Sequence, residues 1–361
     1  MPARLGPPAL AILLALAMAA CAGAGPATPN PAASSPAPGQ PTPSTSLPSS
    51  PGALPPATPP ATSTPATPEA PGPAGPPPPP CGEADPTCAS LSVRQVRDID
   101  FTGPVPCGPD GASCILRIDA FAPPAPAARD LPIVVMIPGG PLPPGNRGYL
   151  WELARIVASR GAVVFTADYR SSPTYGGGYP ATFADVACAV RFARQKAPEL
   201  GGDAGRVTLV GHSFGGFPAA VVALSAHDFA TDEPACLASR GDGHPDALAG
   251  IAGVYTLDRI GQDFLATFFG GDRASAPDAW AAGDVTALVR RTGRPAPPVR
   301  LLAGTSDPVA PPTTMAEFAD LLRAAGYDVT ATTLDGATHD TILQKLATVD
   351  AIARLAGATG Q

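Results

Sequence analysis

Residues 207–224 read VTLVGHSFGGFPAAVVAL: a run of β-formers, the pentad Gly211-His212-Ser213-Phe214-Gly215, and an apolar, Ala-rich stretch of helical composition. A strand, then Gly-x-Ser-x-Gly, then a helix is the context that lifts a serine onto a sharp turn with its Oγ exposed. Gly211 and Gly215 let strand and helix approach closely, while the serine takes a strained backbone conformation. Serine alone is a weak nucleophile near neutral pH, so it needs a base within reach and a carboxylate to hold that base. The alternative is a small polar residue in a Gly-rich corner, and the remaining sequence has to decide between the two.

Outward from the pentad, apolar β-rich runs alternate with longer segments of helical period, the signature of an α/β protein. LSVRQVRDIDF and CILRIDAFAP predict two early strands in a hairpin arm, and LPIVVMIP is a continuous apolar run suited to a strand buried on both faces. Helices are expected at 149–160 and 181–197, around the strand GAVVFTADYR, and after the pentad with Phe217, Ala220, Val221 and Leu224 on one face. Later strands are expected at ALAGIAGVY, PVRLLAG and DVTATTL, and later helices at 312–325 and 339–356. Residues 256–298 depart from the alternation and carry Phe264, Phe268, Phe269 and Trp280, which predicts either a short cap over a site or an insertion whose aromatics pack on the sheet.

With the chain order Ser, acid, His of this strand–turn–helix arrangement, the acid follows a late strand and the histidine follows the acid. Asp307 lies just beyond PVRLLAG, and His339 lies in Gly-Ala-Thr-His after the last strand, both at carboxyl ends of strands where open α/β sheets place their sites. Asp307 has a rival role as a helix cap, and Asp335 and Asp340 are rival acids, although both adjoin His339 in sequence. His212, His227 and His244 stand at the wrong places in the chain for the base, and no two histidines lie at metal-ligand spacing.

These residues resemble the α/β-hydrolases of the hormone-sensitive-lipase and feruloyl/acetyl-xylan esterase type. The resemblance covers about residues 92 to 356 and rests on LRIDAFAP, MIPGG, TADYRSSP, GGDAGRVTLVGHSFGG, AGTSDPVAPP and GATHD in family order. It implies an α/β-hydrolase fold, a mostly parallel central sheet with helices on both faces and a short cap insertion. It also implies hydrolysis of carboxylic esters without a cofactor, through an acyl-enzyme on Ser213. Where the family carries His-Gly-Gly-Gly this chain has Pro138-Gly139-Gly140-Pro141. Pro141 has no N–H to donate, which leaves the backbone N–H groups of Gly140 and Phe214 as the expected oxyanion donors. Tyr169, Tyr175 and Gly176 to Gly178 are expected to border the pocket.

The amino-terminal third differs in kind. Residues 1–100 contain no aromatic side chain, and Glu69 is the only charge between 22 and 80, amid Pro, Ala, Ser, Thr and Gly. Such a segment cannot bury enough apolar surface to offset its ordering entropy, and is expected to be a disordered tether. Ahead of it, one Arg and an apolar run over residues 9–20 fit an export signal, too short to span a bilayer. Met18-Ala19-Ala20-Cys21 resembles a lipoprotein signal in which Cys21 carries the lipid, with ordinary cleavage near Ala17-Met18-Ala19 or Ala22-Gly23-Ala24 as the alternative. The expected organisation is a signal peptide at 1–20, a tether at 21–80 and a hydrolase domain at 81–361.

Cys81, Cys88, Cys107, Cys114, Cys188 and Cys236 form an even set available for disulfides outside the cytosol. Sequence proximity suggests pairing in that order, and a buried free thiol is the alternative for Cys188. Of the net charge of −7, residues 90–361 hold −5, without the basic stripe that phosphates require, so nucleic acid is not an expected partner. The function expected is an exported serine carboxylic-ester hydrolase acting on short-chain acyl esters, as small molecules or an esterified polymer, with the membrane reached only through a lipid anchor. The rival readings are a non-catalytic envelope binding protein on the same fold, and a serine peptidase or lipase.

Overall fold

The computed structural model describes residues 92–358, apart from 109, 125–128, 143, 145 and 291–294. The expected leader, Cys21, the tether, Cys81 and Cys88 lie outside the described residues.

An eight-stranded sheet is the frame. Its strands are β1 (Arg94–Pro106), β2 (Ser113–Ala122), β3 (Leu131–Ile137), β4 (Val163–Ala167), β5 (Gly202–His212), β6 (Ala247–Ile251), β7 (Val299–Gly304) and β8 (Val329–Leu334). They lie side by side in the order β1-β2-β4-β3-β5-β6-β7-β8. The early hairpin is antiparallel, as is its junction with β4, and every pairing from β4 to β8 is parallel.

The apolar run LPIVVMI is buried throughout, because β3 lies centrally and is covered on both faces. Ile133, Val135 and Ile137 point into a core built with α2 (Ala181–Lys196), α3 (Gly216–Leu224) and α7 (Pro312–Ala324). The intervening Val134 and Met136 point into the opposite core, with α1 (Trp151–Ser159) and α8 (Leu346–Ala356). This two-residue alternation is the strand period at work. Burying each such aliphatic side chain is worth roughly 1.5–3 kcal/mol. Among the described residues, no helix is long and apolar enough to cross a membrane.

Several boundaries differ from the sequence expectation. The strand at ALAGIAGVY stops at Ile251, and Ala252 takes a positive φ of 45°. The expected helix at 339–356 is two pieces, a 3-10 turn over Thr341–Gln344 and then α8, because Lys345 is extended between them. His339 therefore sits on a loop before both pieces. All nine residues of α3 are buried, not one face alone.

The 256–298 segment folds into α4 (Gln262–Phe268), α5 (Pro277–Gly283) and α6 (Val285–Leu288). Its aromatics pack on the flanking helices: Phe268 lies 5.7 Å from Phe183 of α2 and 5.9 Å from Phe217 of α3, and Phe269 lies 4.8 Å from Trp280. Disulfides join Cys107 to Cys114 across the hairpin and Cys188 of α2 to Cys236, each with Cα atoms 5.8 Å apart. Cys188 is thus bonded, not free.

Candidate active site

The pentad turns as its glycines require. A Cβ on Gly211 would stand 2.5 Å from the Gly215 carbonyl oxygen, and one on Gly215 would stand 2.4 Å from the Pro138 carbonyl oxygen. Only glycine at both positions lets β5 run directly into the 3-10 turn Ser213–Gly215 and then α3. Ser213 at the corner has φ 54°, a left-handed conformation costly for a non-glycine residue.

Three distant segments meet at its hydroxyl. His339 Nε2 is 2.8 Å from Ser213 Oγ, and His339 Nδ1 is 2.8 Å from Asp307 Oδ2. The carboxylate can only accept, so Nδ1 carries the ring proton and Nε2 is left to accept from the serine hydroxyl. Asp307 has a fully buried side chain, and its other oxygen accepts from the backbone N–H groups of Val309 and Ala310 at 2.8 and 2.9 Å. One oxygen thus caps the turn after β7 while the other faces the histidine. The rival acids point elsewhere: Thr305 Oγ1 bonds Asp335 at 3.2 Å, and the Tyr149 hydroxyl donates to Asp340. His227 pairs with Asp232 at 2.7 Å, and His244 with Asp242 at 2.5 Å.

The Pro138–Pro141 loop lies against the serine. A Cβ on Gly139 would stand 3.3 Å from Ser213 Oγ, whereas one on Gly140 would meet Ser171 Oγ at 3.0 Å and the Tyr169 hydroxyl at 3.2 Å. Phe214 is buried at the start of the turn, edge-on to Phe264 at 5.7 Å. The loop is pinned from three sides. The Tyr169 hydroxyl donates to the Pro138 carbonyl at 3.0 Å, Asn146 Nδ2 to the Gly139 carbonyl at 3.0 Å, and the Leu142 N–H to Ser171 Oγ at 2.9 Å.

Tyr169, almost fully buried, thus fastens the loop. Gly176, Gly177 and Gly178 are packed directly against the backbone oxygens of Pro106, Arg170 and Phe268, points of close approach that leave no room for a Cβ.

Sequence reasoning missed the 3-10 turn Asn146–Leu150, which follows the loop. Arg147 is buried in it and binds Asp119 of β2 at 2.9 Å and Asp168, just past β4, at 2.7 Å, with Asp98 of β1 as a third partner. Trp151 Nε1 also donates to Asp119 at 2.7 Å. A second buried group, Arg170 with Asp185 of α2 at 2.7 Å and with Glu233, fixes the chain after β4. The run of Asp, Arg and Trp was present in the sequence, but no spacing rule connects residues 98, 119, 147 and 168.

Comparison with known proteins places the fold and the family. Esterase LipQ of Mycobacterium tuberculosis is 30% identical over 233 residues, covering 62% of this chain and 53% of its own length. Carboxylesterase NlhH of the same organism is 39% identical over 105 residues, covering 28% and 32%. The chain spans about half the length of LipQ and of the similar esterase LipC, 53% of each. Among solved structures, a truncated carbohydrate esterase from gut microbiota superposes with a TM-score of 0.58 at 14% identity, covering 73% of this chain and 95% of its own. Esterase B from Lactobacillus rhamnosis gives 0.58 at 18% identity, covering 74% and 86%. At such identities the likeness carries the fold, and the fold is that of the α/β-hydrolases. The BD-FAE family model matches residues 118–322, more than half of the 361-residue chain and including the serine turn, and the chain belongs to that family.

Proposed function

We propose that this protein is an exported serine carboxylic-ester hydrolase that cleaves short-chain acyl esters through an acyl-enzyme on Ser213. The observation that carries the reading is the continuous relay Ser213–His339–Asp307 on a serine held at positive φ. The names of the esterase relatives favour the same chemistry.

In this reading His339 Nε2 takes the hydroxyl proton as Ser213 Oγ bonds to the ester carbonyl carbon, and the carbonyl oxygen becomes an oxyanion. The backbone N–H groups of Gly140 and Phe214 stabilise that oxyanion, and Asp307 stabilises the imidazolium. The C–O bond to the alcohol breaks, and the alcohol leaves with the proton from His339. Water then adds to the acyl carbon with His339 again as base, and the carboxylic acid departs from Ser213. With Pro141 lacking an N–H, the two donors each carry a large share, since losing one such donor costs about 2.7–4 kcal/mol.

Ser213→Ala is expected to lower turnover of short p-nitrophenyl esters by about 10⁴- to 10⁶-fold and to abolish covalent labelling by a fluorophosphonate. Undiminished turnover in that variant would sink the reading, and a folded wild-type protein that takes no label and turns over no ester would favour a binding role.

Export is the second part of the reading, supported by the lipobox-like Met18-Ala19-Ala20-Cys21 and by two disulfides, which persist in oxidising compartments. The membrane is reached through a lipid on Cys21, and small-molecule esters or an esterified polymer are the partners. Mass spectrometry of the mature amino terminus is expected to find a diacylglyceryl-modified Cys21; an unmodified chain beginning elsewhere would refute the anchor.

A further inference from the structure

The residue before the serine has no part in the relay, yet it is almost completely buried beside it. His212 is 2% exposed, and its Nε2 lies 3.1 Å from the main-chain carbonyl oxygen of His339. A carbonyl can only accept, so Nε2 carries the proton and donates. Burial keeps the ring neutral, pushing its pKa down to about 4. The bond joins the side chain of the residue next to Ser213 to the main chain of His339 itself.

Tyr149 holds the same place from outside. Its ring stacks on His212, with centroids 5.6 Å apart and planes at 23°, and its hydroxyl donates to the carboxylate of Asp340, the residue after His339. The rings of His212 and His339 are 5.1 Å apart. The loop that carries His339 needs such support, because Gly336, Thr338 and Asp340 are all exposed. On its other flank it is tied to the turn after β7, where the Gly336 N–H donates to Thr305 Oγ1 at 2.8 Å and the Ser306 N–H to the Ala337 carbonyl at 3.0 Å. Those bonds fix the loop to the Asp307 side, whereas His212 and Tyr149 fix it to the nucleophile side.

We propose that His212 and Tyr149 form a positioning clamp that sets the distance between His339 Nε2 and Ser213 Oγ, through the His339 carbonyl and the Asp340 carboxylate. The inference rests on the reading of Ser213 as nucleophile. Neither residue touches the reacting atoms; each acts by holding the histidine. Displacing a reacting group by about 1 Å can cost 10²-fold in rate, so the clamp affects turnover far more than substrate affinity.

The test uses His212→Leu, His212→Gln and Tyr149→Phe in the full chain, with Ser213→Ala as reference, on a short p-nitrophenyl ester. His212→Leu removes the donor, and its kcat is expected to fall by about 10- to 100-fold with KM within about twofold. In His212→Gln the amide nitrogen lies the same number of bonds from Cβ as Nε2 does, and most of the lost kcat is expected to return. Tyr149→Phe keeps the stacked ring, loses the bond to Asp340, and is expected to lower kcat several-fold, with fluorophosphonate labelling slowed in parallel. Wild-type kcat in both His212→Leu and Tyr149→Phe, with activity still abolished by Ser213→Ala, overturns the clamp and leaves the esterase reading intact. Loss in His212→Leu with no recovery in His212→Gln and none of the expected loss in Tyr149→Phe also overturns it, marking a packing role alone. If His212→Leu does not fold, Tyr149→Phe decides by the same criterion. Activity that survives Ser213→Ala overturns the esterase reading itself.

Discussion

His212 shows how one residue can bear on both stability and geometry. Burial holds its pKa near 4, below the ordinary value of 6.5 for a histidine in the unfolded chain. Between those values the unfolded chain takes up a proton that the folded protein refuses, so acid favours unfolding. The stability contributed by the neutral ring is fully present above about pH 6.5 and is lost as the pH falls towards about 4. From pH 7 to pH 5 this one group is expected to remove about 2 kcal/mol. Urea unfolding of wild type and His212→Leu at both pH values checks this: the wild type should lose more stability on acidification than the variant. An equal loss in the two would place the acid sensitivity elsewhere. The partners of Ser213 show the matching lesson in legibility. Asp307 and His339 were readable because each follows a late strand, whereas the bond from His212 to a main-chain oxygen depends on where the loop passes, which no pattern of side chains encodes.

At the scale of elements, the 3-10 turn Asn146–Leu150 does the most with the fewest residues. Asn146 holds the Gly139 carbonyl, Arg147 gathers Asp98 of β1, Asp119 of β2 and Asp168 just past β4, and Tyr149 reaches the His339 loop. The Arg147 guanidinium satisfies Asp119 and Asp168, both buried, and their attraction holds its pKa above the usual arginine value despite burial. Arg147→Met would leave those carboxylates without their cation, and a buried pair broken in this way typically costs about 3–5 kcal/mol. The expected outcome is a large drop in the urea midpoint, together with lower turnover from loosening of the Pro138–Pro141 loop. A variant as stable as wild type would show that the aspartates find other partners. Nothing in the sequence marked this turn as a hub. Its composition reads as a loop running into a helix, and its role comes from three strands, β1, β2 and β4, that become neighbours only in the folded sheet.

Across the whole molecule, the period of the sequence matched the architecture wherever burial was uniform. LPIVVMI was legible as a strand covered on both faces because all its side chains are apolar, and the early hairpin by its paired β-rich runs. Boundaries were less legible where backbone conformation breaks a run without changing its composition. Examples are Ala252 at positive φ after β6 and the extended Lys345 that divides the last helical segment. The 256–298 segment could be read two ways because aromatic residues suit a cap and a core equally; the tertiary structure packs Phe268 on α2 and α3 and Phe264 on Phe214 of the Ser213 turn. By itself, then, the sequence determined the α/β class, the strained serine turn and the order of serine, acid and histidine, because these depend on local periodicity, on glycines at fixed offsets and on chain order. Only the tertiary structure decided which oxygen of Asp307 meets His339, how the Pro138–Pro141 loop is pinned by Tyr169, Asn146 and Ser171, and that the His212 ring bonds the main-chain carbonyl of His339. Those contacts join residues up to 127 positions apart, and their geometry follows from how strand ends meet rather than from any spacing along the chain.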